Sequence, residues 1–235
     1  MGIGLSLLSV FELARVTVPT FLEGVTGRID PAVIDGRTRA LGERVLARAR
    51  VTLTVEGTER VPAGRAFVYM SNHQSHVDIP VVFATVPATR LRMVAKKELF
   101  RVPVWGRAMR AAGMVEVDRG NRSAAVQALE RAGEQIRSGV SVWIAPEGTR
   151  SRTGAIGPLK KGGFHLALAT GTPIVPIAIS GTRRVLPAAG RSMRHGVPVS
   201  VRYGAPIEVA GRGIEELMAE VRSFFETSLA ELEAG

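Results

Sequence analysis

An α/β fold, built on a mainly parallel mixed sheet flanked by helices and preceded by an N-terminal helical element, is what this sequence predicts. Two observations carry the prediction. Short apolar runs recur along the chain as VTLTVEG (51–57), AFVYMS (66–71), LRMVA (91–95), GMVEV (113–117), VSVWIA (140–145), IVPIAIS (174–180) and VPVSVRYG (197–204). Stretches of helical periodicity separate them, at 78–86, 103–112, 123–138, 161–170 and 213–232. Buried parallel strands read as continuous apolar runs because both faces are covered, and strands alternating with helices give an α/β domain. Ser123 is a plausible cap for the helix that Gly139 ends. A chain of 235 residues suits one large domain with a small appendage. We place one soft boundary near residue 50, between an N-terminal helical element (1–50) and the α/β domain (51–235).

Residues 3–25 are rich in Leu, Val and Phe, but Glu12 and Arg15 interrupt them and Pro19 is expected to break any helix running through. No charged segment precedes Ile3 and no small-residue cleavage site follows, so the segment reads as retained. Two readings stay open: a helix lying on or dipping into a bilayer, with Leu5, Leu8 and Phe11 entering lipid, or an amphipathic helix covering the core. Asp30-Pro31 begins a second helix to about residue 50, with a break expected at Gly36.

Lysine and arginine outnumber acidic residues 31 to 21, giving a formal charge of +10 and pointing to polyanionic partners. Only 5% of residues are aromatic while 46% are apolar, which suits a lipid surface better than base stacking, and no nucleic acid is expected. Arg28, Arg37, Arg39, Arg44 and Arg48 are expected to face an anionic membrane surface. The absence of cysteine excludes disulfides, thiolate metal sites and a cysteine nucleophile, and suits a reducing cytoplasm.

The chemistry is concentrated in loops that follow strands. Ser71-Asn72-His73-Gln74-Ser75-His76-Val77-Asp78 joins the strand AFVYM to a helix. His73 and Asp78 are too far apart for one helical face, yet a turn entering the helix folds the carboxylate back onto the imidazole. Such a pair makes a general base: Asp78 keeps one ring nitrogen protonated and the other takes a proton from an attacking hydroxyl. A metal site at His73, His76 and Asp78, or simple helix capping, remain the alternatives. Ala145-Pro146-Glu147-Gly148-Thr149-Arg150-Ser151 also follows a strand. There an arginine with hydroxyls and backbone N–H groups suits a phosphate, while the glutamate orients the loop. Lys96-Lys97-Glu98 and Asp118-Arg119 close two further strands. Ligands of open α/β sheets bind outside the carboxyl ends of the strands, so four motifs at four such ends can converge on one cleft. No nucleotide-binding glycine-rich loop and no G-x-S-x-G elbow is present, which disfavours a serine acyl-enzyme.

In this order, N-H-x4-D (Asn72 to Asp78), V-D-R (Val117 to Arg119), P-E-G-T-R-S (Pro146 to Ser151) and V-P-I (Val175 to Ile177) resemble the four blocks of the glycerolipid acyltransferase family. That family includes bacterial 1-acyl-sn-glycerol-3-phosphate acyltransferases. The resemblance extends to Ala95 to Phe100, Pro103, Gly106 and Gly162 to His165, and so covers roughly residues 66–180. It implies that His73 is the general base with Asp78 its partner. It implies that Arg119 and the block Glu147, Gly148, Thr149 and Arg150 bind the acceptor's glycerol phosphate. Lys96 is a further phosphate contact, and Val175, Pro176 and Ile177 shape the acyl-chain side. By the same resemblance the acceptor is a lysophospholipid, the donor is acyl-CoA or acyl carrier protein, and neither metal nor cofactor is required. The setting it implies is the cytoplasmic face of a bacterial-type inner membrane. The family has Phe before its P-E-G block, where this chain has Ala145. Two other readings are kept: acylation of another hydroxyl, such as a lyso-ornithine lipid or glycerol 3-phosphate, and a noncatalytic basic tether for membranes or nucleic acid.

Overall fold

The computed structural model describes residues 2–118, 120–190 and 192–234, and their side chains apart from those of residues 2–10 and Arg122. Leu5, Leu8 and Arg119, singled out above, therefore lie outside the described side chains. The strands are β1 (Thr52–Glu56), β2 (Val68–Ser71), β3 (Leu91–Lys96), β4 (Val115–Val117), β5 (Ser141–Ile144), β6 (Ile174–Ser180) and β7 (Pro198–Tyr203). They form one sheet in the order β1-β7-β6-β2-β5-β3-β4. Every pairing is parallel except β6 with β7. The expected mixed, mainly parallel sheet is therefore present. The carboxyl ends of β2 to β6 all point to one edge, with β2 central between β5 and β6.

Helices cover both faces, which is why β2, β5 and β6 are buried along their whole length. In β2, Tyr69 faces one layer while Val68 and Met70 face the other. The first layer holds α1 (Gly2–Thr26), α2 (Pro31–Arg48), α3 (Asp78–Thr85), α4 (Lys97–Phe100) and α5 (Trp105–Ala111). The second holds α6 (Arg122–Arg137), α7 (Gly162–Thr170) and α9 (Ile214–Ala234). A single turn, α8 (Thr182–Val185), follows β6. The cap of α6 is Asn121 rather than Ser123: its side chain accepts from Ala124 N–H at 3.1 Å.

Helix α1 runs unbroken through Pro19 and α2 unbroken through Gly36, against expectation in both cases. Tertiary packing overrides local propensity here. On either side of Pro19, α1 is fastened to α2 by ion pairs. Glu12, only 1% exposed, accepts from Arg44 Nε and Arg48 Nη2, both at 2.9 Å. Glu23 accepts two bonds from the Arg37 guanidinium, at 2.6 and 2.7 Å. Burial pushes the Glu12 carboxyl up, but Arg48, Arg15 and Arg44 outweigh it and hold the group below the usual carboxylate range. Asp30 caps α2 by accepting from Ala32 N–H at 2.8 Å.

The second helix lies against α3 with almost no gap. A Cβ placed on Gly42 would come within 2.6 Å of the Pro80 carbonyl oxygen, whereas one on Gly36 would meet nothing. Arg39 secures the same contact by donating to the carbonyls of Ala84 and Val86 at the end of α3. The two glycines therefore have opposite expected responses. In urea unfolding, Gly36→Ala should raise stability by about 0.5–1 kcal/mol. Gly42→Leu should lower it by about 1–3 kcal/mol through overpacking. Equal effects of both changes would contradict this packing.

Candidate active site

The loop from Asn72 to Asp78 is fixed at each end before any chemistry is considered. Asn72 prolongs the β2–β6 pairing with its side-chain amide, donating to Ile179 O at 2.9 Å and accepting from Ile179 N–H at 2.8 Å. At the far end Asp78, fully buried at the start of α3, turns back into the loop. Its Oδ2 accepts from His73 Nδ1 at 2.7 Å, Gln74 N–H at 2.8 Å and Ser75 N–H at 2.9 Å. Its Oδ1 accepts from Thr182 Oγ1 at 2.5 Å. With donors on all sides, the carboxylate fixes the tautomer in which His73 carries its proton on Nδ1. His73 Nε2 is left without a protein partner among the described residues, and the side chain keeps 18% exposure. Asp78 is fully engaged with donors, and no group of three or more metal-type ligands gathers among the described residues.

The second loop is tied to the first by Glu147. Its Oε1 accepts from His73 N–H at 2.7 Å and its Oε2 from Gly157 N–H at 2.8 Å. Burial pushes this carboxyl above the usual range, and the N–H donors of Gly157 and His73 partly offset the push. Each oxygen accepts from a backbone N–H, so Glu147 ties the two loops together. Ser151 N–H donates to His73 O at 2.7 Å, a second link between the loops. Gly148 sits at φ +71°, a conformation that glycine adopts without strain, and lets the chain reverse before Thr149, which is exposed. Arg150 donates from Nη1 to Ala188 O at 2.8 Å, and no bond from its remaining guanidinium N–H groups is found among the described residues.

Lys96, at the end of β3, is exposed, while its neighbour Lys97 is committed to Asp118 at 2.5 Å. The fields of Arg150, His73 and Lys96 all act on His76. Desolvation first, and those three charges after it, push the His76 imidazole below its usual range. The loops after β2 and β5 therefore meet at His73, and Lys96 at the end of β3 acts electrostatically on His76 in the same loop. Arg119 lies outside the described residues.

His76, on the same loop as the base, also lines a cavity of about 390 Å³. The rest of its wall is largely apolar, with Val16 of α1, Leu41 and Val45 of α2, Phe83 of α3 and Trp105 and Met109 of α5. That volume lies within the range of small-molecule sites. Val175, Pro176 and Ile177, expected on the acyl-chain side, do not line this cavity. Val175 and Ile177 are fully buried in the central sheet, and Pro176 packs so closely on Gly204 that a Cβ there would lie 2.7 Å from its ring. The apolar run that carries V-P-I in sequence is also the signature of a central strand buried on both faces.

Residues 52–180, more than half of the chain, match the family model described as Acyltransferase. The chain belongs to this acyltransferase family. Among curated relatives, the acyltransferase is 33% identical over 170 residues to the 1-acyl-sn-glycerol-3-phosphate acyltransferase of Escherichia coli (strain K12), covering 71% of this chain and 68% of that protein. It is 36% identical over 154 residues to the chloroplastic 1-acyl-sn-glycerol-3-phosphate acyltransferase BAT2 of Brassica napus, covering 65% and 44%. The chain spans about half the length of the Brassica napus, Arabidopsis thaliana and Cocos nucifera relatives it matches. Its fold superposes on the crystal structure of the 1-acyl-sn-glycerophosphate (LPA) acyltransferase PlsC from Thermotoga maritima with a TM-score of 0.84. The two are 28% identical, and the superposition covers 100% of this chain and 97% of the other.

Sequence reasoning missed two parts of the site. The cavity wall comes from α1, α2 and α5, whose apolar residues look like any core-facing stripe. Thr182 was missed because its segment, Gly181-Thr182-Arg183-Arg184, carries no His or carboxylate, although its place at the end of β6 was a usable signal. The role of Glu147 is directly testable. Glu147→Gln places an NH₂ where an acceptor is required, so amide exchange at His73 or Gly157 should accelerate and stability should fall by about 1–3 kcal/mol. Unchanged exchange at both amides would contradict the role.

Proposed function

We propose that this acyltransferase moves a fatty acyl group from a thioester, acyl-CoA or acyl carrier protein, to the sn-2 hydroxyl of 1-acylglycerol-3-phosphate, forming phosphatidic acid. The observation that carries this reading is the His73–Asp78 pair, on a loop whose His76 lines an apolar cavity and lies within the fields of Arg150 and Lys96. The names of the curated relatives and of the superposed structure support the choice of acceptor.

The chemistry follows from the geometry. His73 Nε2 takes the proton of the acceptor hydroxyl as its oxygen attacks the thioester carbonyl carbon. Asp78 steadies the imidazolium that forms. The C–O bond forms, the C–S bond breaks, and the departing thiolate recovers the proton from His73 to leave as a thiol. Thiolates are weak bases compared with alkoxides, so no stronger acid is needed, and no metal or cofactor enters the balance. The fatty chain of the donor fits the apolar cavity. Arg150 and Lys96 offer charge-assisted bonds to the acceptor's phosphate, and we assign Arg119, Gly148 and Thr149 to the same subsite from the resemblance.

We place the reaction at a membrane surface, on the cytoplasmic face. No helix among the described residues is long and apolar enough to cross a bilayer. Instead α1 presents an outward stripe of Phe11, Val18, Leu22 and Val25, 54%, 46%, 55% and 69% exposed. Their spacing of seven, four and three residues puts them on one side of the helix. Four adjacent large apolar side chains facing water are suited to the acyl boundary of a bilayer, at about 1.5–3 kcal/mol for each one fully buried. The arginines contribute less than their number suggests. Arg37, Arg44 and Arg48 pair with Glu23 and Glu12, and Arg39 is spent on α3 carbonyls. Arg28 and Arg15 remain for anionic lipid, with Arg15 lying over the Phe11 ring.

Three measurements test this account. His73→Ala should cut turnover by roughly 100- to 10,000-fold in folded protein, and near-normal turnover would remove the base from the mechanism. Arg150→Ala should raise the KM for the phosphorylated acceptor by roughly 10- to 100-fold with little change for the thioester; equal shifts for both substrates would move the phosphate site elsewhere. Because α1 forms part of the cavity wall, anchoring is better tested by substitution than by deletion. Phe11→Ser, Leu22→Ser and Val25→Ser together should shift the protein from liposome pellet to supernatant while turnover of a soluble short-chain acceptor persists. Full sedimentation of the triple variant would contradict the anchoring role.

A further inference from the structure

Four donors converge on the Asp78 carboxylate, and three of them come from its own loop and meet the same oxygen, Oδ2. The fourth, Thr182 Oγ1, comes from 104 residues away and alone meets Oδ1, at 2.5 Å. That distance is typical of a hydroxyl donating to a carboxylate. Thr182 has no exposure to water, so its hydroxyl finds its partner within the protein.

The position of Thr182 is set independently of the loop it contacts. Gly181, just before it, holds φ +92° and presses so closely on β7 that a Cβ would lie 2.3 Å from Pro198 O. The turn of α8 is closed by Leu186 N–H donating to Thr182 O at 2.9 Å, and Val185 within it is fully buried. Both ends of this turn grip the catalytic loop. Thr182 donates to Asp78 at one end, and Leu186 O accepts from Ser75 Oγ at 2.7 Å at the other.

We propose that Thr182 is a positioning residue for the base: by holding Asp78 Oδ1, it fixes the rotation of the carboxylate that aims Oδ2 at His73 Nδ1. Terminal sp³–sp² torsions are broad, and the three donors on Oδ2 belong to the same loop as His73 and can shift together with it, so the bond at Oδ1 is the tie that sets the carboxylate's angle against the rest of the protein. Held at both oxygens, it cannot turn without losing a charge-assisted bond. The alignment of His73 Nε2 with the acceptor hydroxyl then depends on a residue that touches neither substrate. Such an effect belongs to kcat rather than to KM, because the ground-state contacts are untouched.

The inference rests on the reading of His73 as the base, so His73→Ala is measured alongside. Thr182→Val keeps the shape and removes the donor, Thr182→Ser keeps a strong donor, and Thr182→Cys keeps a weak one. We expect valine to lower kcat by roughly 10- to 100-fold, the size of a lost hydrogen bond to a charged group. Both KM values should stay within about twofold of the parent. Serine should restore most of the loss and cysteine only part of it. The low-field proton resonance of His73 Nδ1–H, identified by its absence from His73→Ala, should shift or broaden in the valine protein. A folded valine variant with parental kcat and an unmoved resonance would overturn the proposal. If valine prevents folding, the decision passes to the other two: cysteine turning over as fast as serine would overturn it, because donor strength would then be irrelevant. Near-parental turnover by His73→Ala would instead remove the base reading itself, and is read separately.

Discussion

A carboxylate without access to water has to be met by donors, and the geometry around Asp78 is the solution this fold provides. The cost of burying that charge is several kcal/mol unless hydrogen bonds replace its hydration. Two backbone N–H groups, one imidazole and one hydroxyl do so here. Each of these donors constrains something larger. The N–H groups of Gln74 and Ser75 force the loop after β2 to curl back onto the start of α3. The hydroxyl of Thr182 requires β6 to end where it does. The imidazole is held with Nε2 directed away from the carboxylate. Glu147 solves the same problem for the neighbouring loop, with two N–H donors instead of four partners. The two buried carboxylates thus turn three strand ends into one rigid edge.

The helical layer in front of that edge obeys a different constraint. An apolar cavity inside a protein forfeits packing contacts, so its walls must be held apart by interactions made elsewhere. Around this cavity the walls are α1, α2, α3 and α5, tied together by ion pairs and close backbone contacts. Glu12 joins α1 to two arginines of α2, Glu23 joins the same helices through Arg37, and Gly42 brings α2 into direct contact with α3. Gly24 does the same for α1 on α5, where a Cβ would lie 2.7 Å from Ala111 Cβ. Of the charged residues in the N-terminal apolar run, Glu12 and Glu23 therefore hold the hairpin together, and the apolar stripe left outside faces away from the domain.

These two constraints explain what could be read from sequence and what could not. The centre of the sheet was legible because parallel strands covered on both faces consist of unbroken apolar runs, as in β2, β5 and β6, whereas the exposed β1 and the alternating β7 show only as short β-branched runs. The base pair was legible because a His and an Asp in one strand-to-helix loop need only a local turn to meet. Residues whose role depends on distant partners were harder. Pro19 reads as a helix breaker, and only the ties of α1 to α2 and α5 carry the helix through it. Val175 to Ile177 match a family block, yet their burial in the central sheet puts them away from the cavity. Thr182 is an ordinary threonine until the chain brings it to Asp78.

The claim on which the account most depends is that the acyl chain enters the cavity between α1, α2 and α5 with its carbonyl beside His73. A crystal structure with a non-hydrolysable thioether analogue of the donor, brominated at the end of its fatty chain, tests it most directly. The account predicts anomalous bromine density inside the cavity, between Val16 and Met109, with the analogue's carbonyl-equivalent carbon adjacent to His73 Nε2. Bromine density outside the cavity, with the carbonyl-equivalent carbon remote from His73, would contradict it.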